Sequence, residues 1–426
     1  MTEEFLHYIW KYKLFNQVNL CTENGLTIVI SKEGSYNLGS GPDFNHAKIL
    51  IGEITWVGNV EIHISSSDWF KHGHQNDPVY GKTILHVVWN YDKPVFDSLS
   101  NEIPVLVLNG RVSHRLLQNF DTLHFNENKI LCKGLTNELD PFKTSQWLNR
   151  LLIERLERKV GDIKSVFEQV NKDWVQTLFI VLAKNMGFKV NELPMMLLAQ
   201  SVDFKILLKN KDKPFVLEAI LLGVSGLIPY LPKDGFSEAL KKEFSHQKAK
   251  YRLTQIEPSL WKFGKIRPAN FPTVRISQLA SFVHKHGNLF YFLVRDYHLE
   301  INLNVLRVST SEYWKTHYVF GKKVESKSKI IGEKSIENIG INTIAPMLFF
   351  YGKEMQSVTH LQLALEVLEK IPAENNLIIR NWAQNNIFAK RASDSQSLIE
   401  LTNNYCALKK CLNCGIGIQV LKNETS

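Results

Sequence analysis

Cysteine is scarce in this chain, five among 426 residues, and three of the five crowd together at Cys406, Cys411 and Cys414. So sparse and uneven a distribution argues against a disulfide-stapled scaffold and for metal binding or a reduced core. Long apolar runs are also missing. The longest, from Phe215 to Leu231, is short and interrupted by Glu218, which argues against a membrane span. The opening residues MTEEFLHYIW have neither a basic segment nor a cleavable apolar run, so a cytoplasmic protein with no membrane partner is expected. There is no internal repeat and no low-complexity segment.

What is present is ordinary globular composition with a basic excess. Hydrophobic residues make up 44% and charged residues 22%, enough apolar side chain for two or three full cores and too much for a disordered chain. The net charge of +9 fits an acidic partner such as nucleic acid and fits a merely soluble surface equally well.

Acid/base side chains concentrate between Gly41 and Asn90, where Asp43, Glu61, His63, Asp68, His72, His74, Asp77 and His86 fall within fifty residues. Residues 46–51 and 54–64 are apolar and β-branched, and the Ile51-Gly52-Glu53 step between them predicts a hairpin. A turn centred there pairs residues whose numbers sum to about 105, which places Asp43 opposite Ile62 and diagonal to Glu61 and His63. Alternation along the strand puts Glu61 and His63 on one face and Val60, Ile62 and Ile64 on the other. A carboxylate from one strand and a Glu-x-basic step on the next can hold a divalent cation, Mg2+ or Mn2+, and poise a water for attack on a phosphodiester. His72 and His74, on a polar connection after the hairpin, are candidate ligands, acid/base groups or phosphate contacts. His86, inside the apolar strand Thr83 to Asn90, reads rather as a core histidine. Trp69 and Tyr80 are not assigned to a site.

Gly41-Pro42-Asp43 followed by Glu61-Ile62-His63 resembles the PD-(D/E)xK nuclease signature, with Asp43 and Glu61 in the metal positions and His63 where that motif has lysine. Histidine loses its charge near neutrality, where lysine does not. The segments GPDF, VEIH, SSDW, HGH and LHVV, with RPANFP and CLNC further on, resemble the bacterial domain-of-unknown-function 2851 family over nearly the whole chain. That family's membership implies little about function.

An amphipathic helix over residues 3–16, a strand from Leu26 to Ser31 and the acidic hairpin precede a strand at Pro104 to Asn109 and a helix from Ser113. After Asp140-Pro141 the apolar period changes from two to about 3.6, beginning with a stripe from Trp147 to Val170. The expected fold class is α+β: a mixed α/β nuclease-like domain over residues 1–140, a mostly helical domain over 141–405, and a cysteine-containing tail over 406–426. Arg267 and Arg275 flank a proline-punctuated loop that opens a helix near Pro272, where they can grip a substrate phosphate or pin the loop. In the tail, Cys406, Cys411 and Cys414 supply three thiolates, and Cys132 or Cys21 must supply the fourth if a metal is held. One distant cysteine plus three near the C-terminus resembles the iron–sulfur staple of certain PD-(D/E)xK exonucleases, although the spacings differ. Structural zinc fits equally well, and unliganded cysteines remain an alternative. The leading expectation is a divalent-metal-dependent phosphodiesterase acting on nucleic acid, with Asp43, Glu61, His63, His72 and His74 catalytic. The alternatives are an inactive nucleic-acid-binding or scaffolding protein on a nuclease-like fold, and a zinc-dependent hydrolase of another substrate.

Overall fold

A computed structural model describes residues 1–287, 290–291, 294 and 303–422. The fold class is α+β, a mixed sheet followed by a mostly helical region. Two compact units form: Met1–Thr144 together with Thr402–Ser426, and Ser145–Leu401.

The first unit begins with α1 (Glu3–Lys11), capped by the Thr2 hydroxyl, which accepts from the Phe5 N–H, and carrying Glu3 and Glu4 in its first turn. Phe5, Leu6, Ile9 and Trp10 are buried along one stripe, each contributing roughly 2 kcal/mol of transfer free energy. The strands are β1 (Ile28–Lys32), β2 (Ser35–Tyr36), β3 (Phe44–Ile51), β4 (Ile54–Ser65), β5 (Thr83–Asn90) and β6 (Val105–Val107). A short α2 (Asp68–Lys71) follows β4, and α3 (His114–Phe125) follows β6. Their order in the sheet is β1-β3-β4-β5-β6, with β2 also on β3; β1, β3 and β4 are antiparallel neighbours, while β4, β5 and β6 run parallel.

The expected hairpin is there, with a change of register that matters. Near the turn Ile51 pairs with Ile54 and Ala47 with Gly58, as the turn predicts, but Phe44 pairs with Val60. The extra residue lies at 45–46, where His46 adopts a left-handed φ of 59°. This bulge moves everything before it by one position, so Asp43 comes opposite Glu61 rather than Ile62.

The tail belongs to this same unit. Its last helix, Gly415–Lys422, packs on α3, the Asn119 amide donates to Val420 O at 3.0 Å, and the Asp140 N–H donates to Gln419 Oε1 at 2.9 Å. Residues 423–426 lie outside the described residues.

The second unit is helical: α4 (Pro141–Gln169), α5 (Trp174–Met186), α6 (Phe188–Gln200), α7 (Phe204–Lys209), α8 (Pro214–Val224), α9 (Gly235–Tyr251) and α10 (Pro272–His286) lead into further helices that close one large apolar core. Asn191 is a kink inside α6 with φ −117°, just before Pro194. Among the described residues no helix is long and apolar enough to cross a membrane. The apolar run around Glu218 is the core helix α8. There Glu218 Oε1 accepts from Trp314 Nε1 at 2.7 Å and from the Ser311 hydroxyl at 3.2 Å, while Ser277 also donates.

Burial raises the Glu218 carboxyl above its ordinary value of 4.5, against the lowering effect of those three donors. A raised folded-state value means that the carboxyl's contribution is intact below pH 4.5 and is lost as pH rises through the folded value. Glu218→Gln keeps the shape and the acceptor but cannot ionise. Its melting temperature is expected to match the wild type below pH 4.5 and to exceed it by a margin that grows as pH rises through the folded value. A variant less stable than wild type at pH 8 overturns this.

Candidate metal centre

The bulge within β3 and the parallel β4–β5 pairing bring five histidines and two carboxylates together. Asp43 and Glu61 are tied to each other's backbone: the Asp43 N–H donates to Glu61 Oε2 at 3.1 Å, and the Ile62 N–H donates to Asp43 Oδ2 at 3.0 Å. This leaves Glu61 Oε1 directed at imidazoles, 3.3 Å from His74 Nε2 and 3.7 Å from His63 Nε2. His63 Nε2 lies 3.0 Å from His72 Nδ1, and on its other side His63 Nδ1 meets His86 Nε2 at 2.8 Å. Asp43 Oδ2 turns instead to His7 of α1, whose Nε2 is 3.1 Å away.

Local sequence explains how the loop histidines reach the cluster. α2 is one turn long, with Asp68 Oδ2 accepting from the Ser65 N–H. His72 ends it, Gly73 takes a left-handed φ of 75°, and His74 starts a 3-10 turn, so the chain reverses within three residues. Glycine is needed for that reversal because a side chain at positive φ is strained. The His74 ring stacks on Tyr80 at 3.8 Å and meets the edge of the fully buried Trp69, whose Nε1 donates to Phe96 O. The two aromatics left unassigned by sequence therefore fix the orientation of His74.

The electrostatics suit neutral imidazoles. Burial, then the neighbouring His86, His72 and His74, push His63 down to about 2; burial, then His74, push His86 down to about 3; and burial, then His72, lowers His74. His63 is thus an uncharged nitrogen donor throughout the neutral range, not the titrating stand-in for lysine that the motif suggested. Burial, and next the charge of Asp43, pushes Glu61 up to about 9, so its ionised form lacks a nearby positive charge. His74 Nε2 is buried and makes no hydrogen bond, its contact with Glu61 being misaligned. A buried, orphaned nitrogen and a carboxylate short of countercharge fit a cation.

The spacing also fits. His63, His72 and His74 have ligand atoms within 4.8 Å of one another, the one such group among the described residues. Four ligands about 2.05 Å from a tetrahedral ion stand roughly 3.3 Å apart. The separations of His63 from His72, 3.0 Å, and of Glu61 Oε1 from His74 and His63, 3.3 and 3.7 Å, lie around that value, with Glu61 beside the three-imidazole group rather than within it.

The remaining candidates are placed elsewhere. Arg275 is 4% exposed: its guanidinium donates to Gln278, Asn270 and Ser335 and lies over the Phe188 ring, so it braces the loop within the helical unit. Arg267 is exposed in the same unit. Cys132, Cys406 and Cys414 are buried, and Cys411 half-buried, in the sheet unit. Burial holds the Cys132 thiol well above its usual range and pushes Cys406 and Cys411 up to about 12, in each case followed by the effect of the other cysteines of this group. Cys21 is exposed and takes no part.

Sequence reasoning missed His7 and undervalued His86. His7 stands in an unremarkable amphipathic helix, and nothing local couples it to Asp43. His86 is fully buried, as a core residue should be, and its register partner on β4 is Glu61. Only the parallel pairing reveals the contact with His63. No curated protein and no solved structure matches the chain. The family model described as "Protein of unknown function (DUF2851)" matches residues 3–377, more than half of the chain, and the protein belongs to that family.

Proposed function

We propose that the sheet unit is a metal-dependent phosphodiesterase whose ion is held by Glu61, His63, His72 and His74. The observation that carries this is the convergence of the three imidazoles within 4.8 Å, with Glu61 Oε1 3.3 Å from His74, together with the orphaned His74 nitrogen. Imidazole donors favour zinc, manganese or iron over magnesium. This moves the centre of the site from the Asp43–Glu61 pair of the sequence motif to Glu61 and the histidines. A divalent cation there supplies Lewis-acid polarisation of a phosphoryl oxygen. Asp43 and His7 form an adjacent pair able to take a proton from the attacking water. His86 holds the His63 ring from behind through Nδ1.

The phosphodiester assignment rests on analogy. The order α1, β1, β3, β4, α2, β5, with an acid entering the middle strand and Glu-x-His on the next, resembles the nuclease-like arrangement. Charge supplies a second reading. The sheet unit carries 15 Lys and Arg against 17 Asp and Glu, whereas the helical unit carries 36 against 25, so this unit alone has no net attraction for a polyanion. That favours a hydrolase of a smaller or neutral substrate. The deciding experiment loads metal-free protein with zinc, manganese or magnesium and offers single-stranded DNA, duplex DNA, RNA and an activated carboxylic ester. Cleavage of a nucleic acid supports the proposal; ester hydrolysis alone supports the second reading. Stoichiometric metal uptake with no turnover points to the scaffold alternative, and no metal uptake overturns the centre itself.

We propose a second, structural metal at Cys132, Cys406, Cys411 and Cys414. The four thiols lie in one unit, and burial and then neighbouring cysteines raise Cys132, Cys406 and Cys411, so cation binding would relieve the repulsion among thiolates. No three of their sulfurs come within the 4.8 Å that the histidines meet, so metal entry would draw them together.

A further inference from the structure

We infer that the helical unit carries a binding surface for the phosphate backbone of nucleic acid, formed where α7, α9 and α10 end together. The junction is built by direct contacts. Asn210, which caps α7, donates to the Tyr251 hydroxyl at the end of α9. The carbonyl of Lys211 meets His284 Nδ1 of α10 at 2.7 Å, and the Lys211 side chain passes Gly287, which caps α10.

Around this junction lie Lys209, Lys211 and Lys213 on the turn, Lys248, Lys250 and Arg252 at the end of α9, and Lys285 at the end of α10, all exposed. None of these seven is in an ion pair among the described residues. Lys250 lies over the Tyr251 ring at 4.9 Å, and that phenol's pKa is lowered first by its hydrogen bond with Asn210, then by Lys250 and Lys209, so the turn and the end of α9 adjoin.

The bland explanation is that cations at helix C-termini answer the helix dipoles. Each C-terminus carries about half a negative charge, as the N-terminus of α8 beside Lys213 carries about half a positive one. Allowing for Asp212 and these four helix ends, about five positive charges remain uncompensated among the described residues. That surplus sits in the unit that also holds the chain's whole basic excess. A repeating polyanion satisfies several such charges at once, with counterion release as the driving force.

This deepens the phosphodiester reading by naming a surface for the substrate's backbone, and it is measured without catalysis. The test is fluorescence anisotropy of labelled single-stranded and duplex 20-mers with the full-length protein in EDTA, across 50–200 mM salt. Wild type is expected to bind with a steep salt dependence. The K209Q/K211Q/K250Q/K285Q variant is expected to bind at least about tenfold more weakly at 100 mM salt, with the log–log salt slope for duplex reduced by about 3 to 4. The corresponding four Lys→Arg changes keep the charge and should retain binding, which separates loss of charge from loss of fold. Variant binding within twofold of wild type with an unchanged slope overturns the inference. So does wild type that ignores both oligonucleotides, whether or not it binds vesicles containing phosphatidylserine. Cleavage that persists while the variant binds normally sinks this surface but not the metal centre; lost variant binding in a protein that never cleaves does the reverse.

Discussion

Glu61→Gln is expected to lower metal-dependent cleavage by at least about 100-fold and to weaken metal binding by a similar factor, while leaving the metal-free fold intact. The amide has the volume of the carboxyl, and its oxygen can still accept the Asp43 N–H that Glu61 Oε2 accepts at 3.1 Å. What disappears is the negative charge at the corner facing His63 and His74. Circular dichroism and a melting curve of the metal-free variant establish the fold; calorimetric metal titration and the cleavage assay read the effect. A variant that binds zinc or manganese as tightly as wild type removes Glu61 from the ion's ligands. As a companion, His86→Ala is expected to give an intermediate loss, because it frees the His63 ring without deleting a ligand.

The second large effect is expected at the opposite end of the chain. If one metal joins Cys132 to Cys406, Cys411 and Cys414, its binding free energy is folding free energy for the sheet unit, and loop closure adds only slowly with loop length. Cys414→Ser should then lower the melting temperature by about 10 °C, corresponding to about 3 kcal/mol in a unit of this size. A strong chelator should do the same to wild type and have no further effect on the variant. The identity of the metal is read directly from anaerobically purified protein. A brown chromophore means an iron–sulfur cluster, and colourless stoichiometric zinc means a zinc knot. Absence of metal in wild type and variant alike leaves the four as packed thiols. The same substitution should spare cleavage at temperatures where the variant is folded, because its effect is on stability.

The sequence by itself determined what depends on neighbours along the chain. The strand Thr83–Asn90 and the long helix that carries the stripe from Trp147 fall where their apolar periods place them, and the hairpin turns at Gly52 because that step suits a tight turn. Local density likewise singled out the segment in which the fold gathers His63, His72 and His74 into one cluster, with Glu61 against His63 and His74. Tertiary structure decided the rest, for reasons that are non-local. One inserted residue at 45–46 sets which strand position Asp43 faces, and no pattern of hydrophobicity announces a bulge that small. His7 and His86 reach the site only because a helix packs on the sheet and β5 runs parallel to β4. The C-terminal cysteines share a unit with Cys132 only because the chain returns to the sheet unit after the whole helical unit. Beside a helix start Arg275 could grip a phosphate or pin its loop; its burial, which a one-dimensional pattern cannot express, commits its guanidinium to the protein's own oxygens.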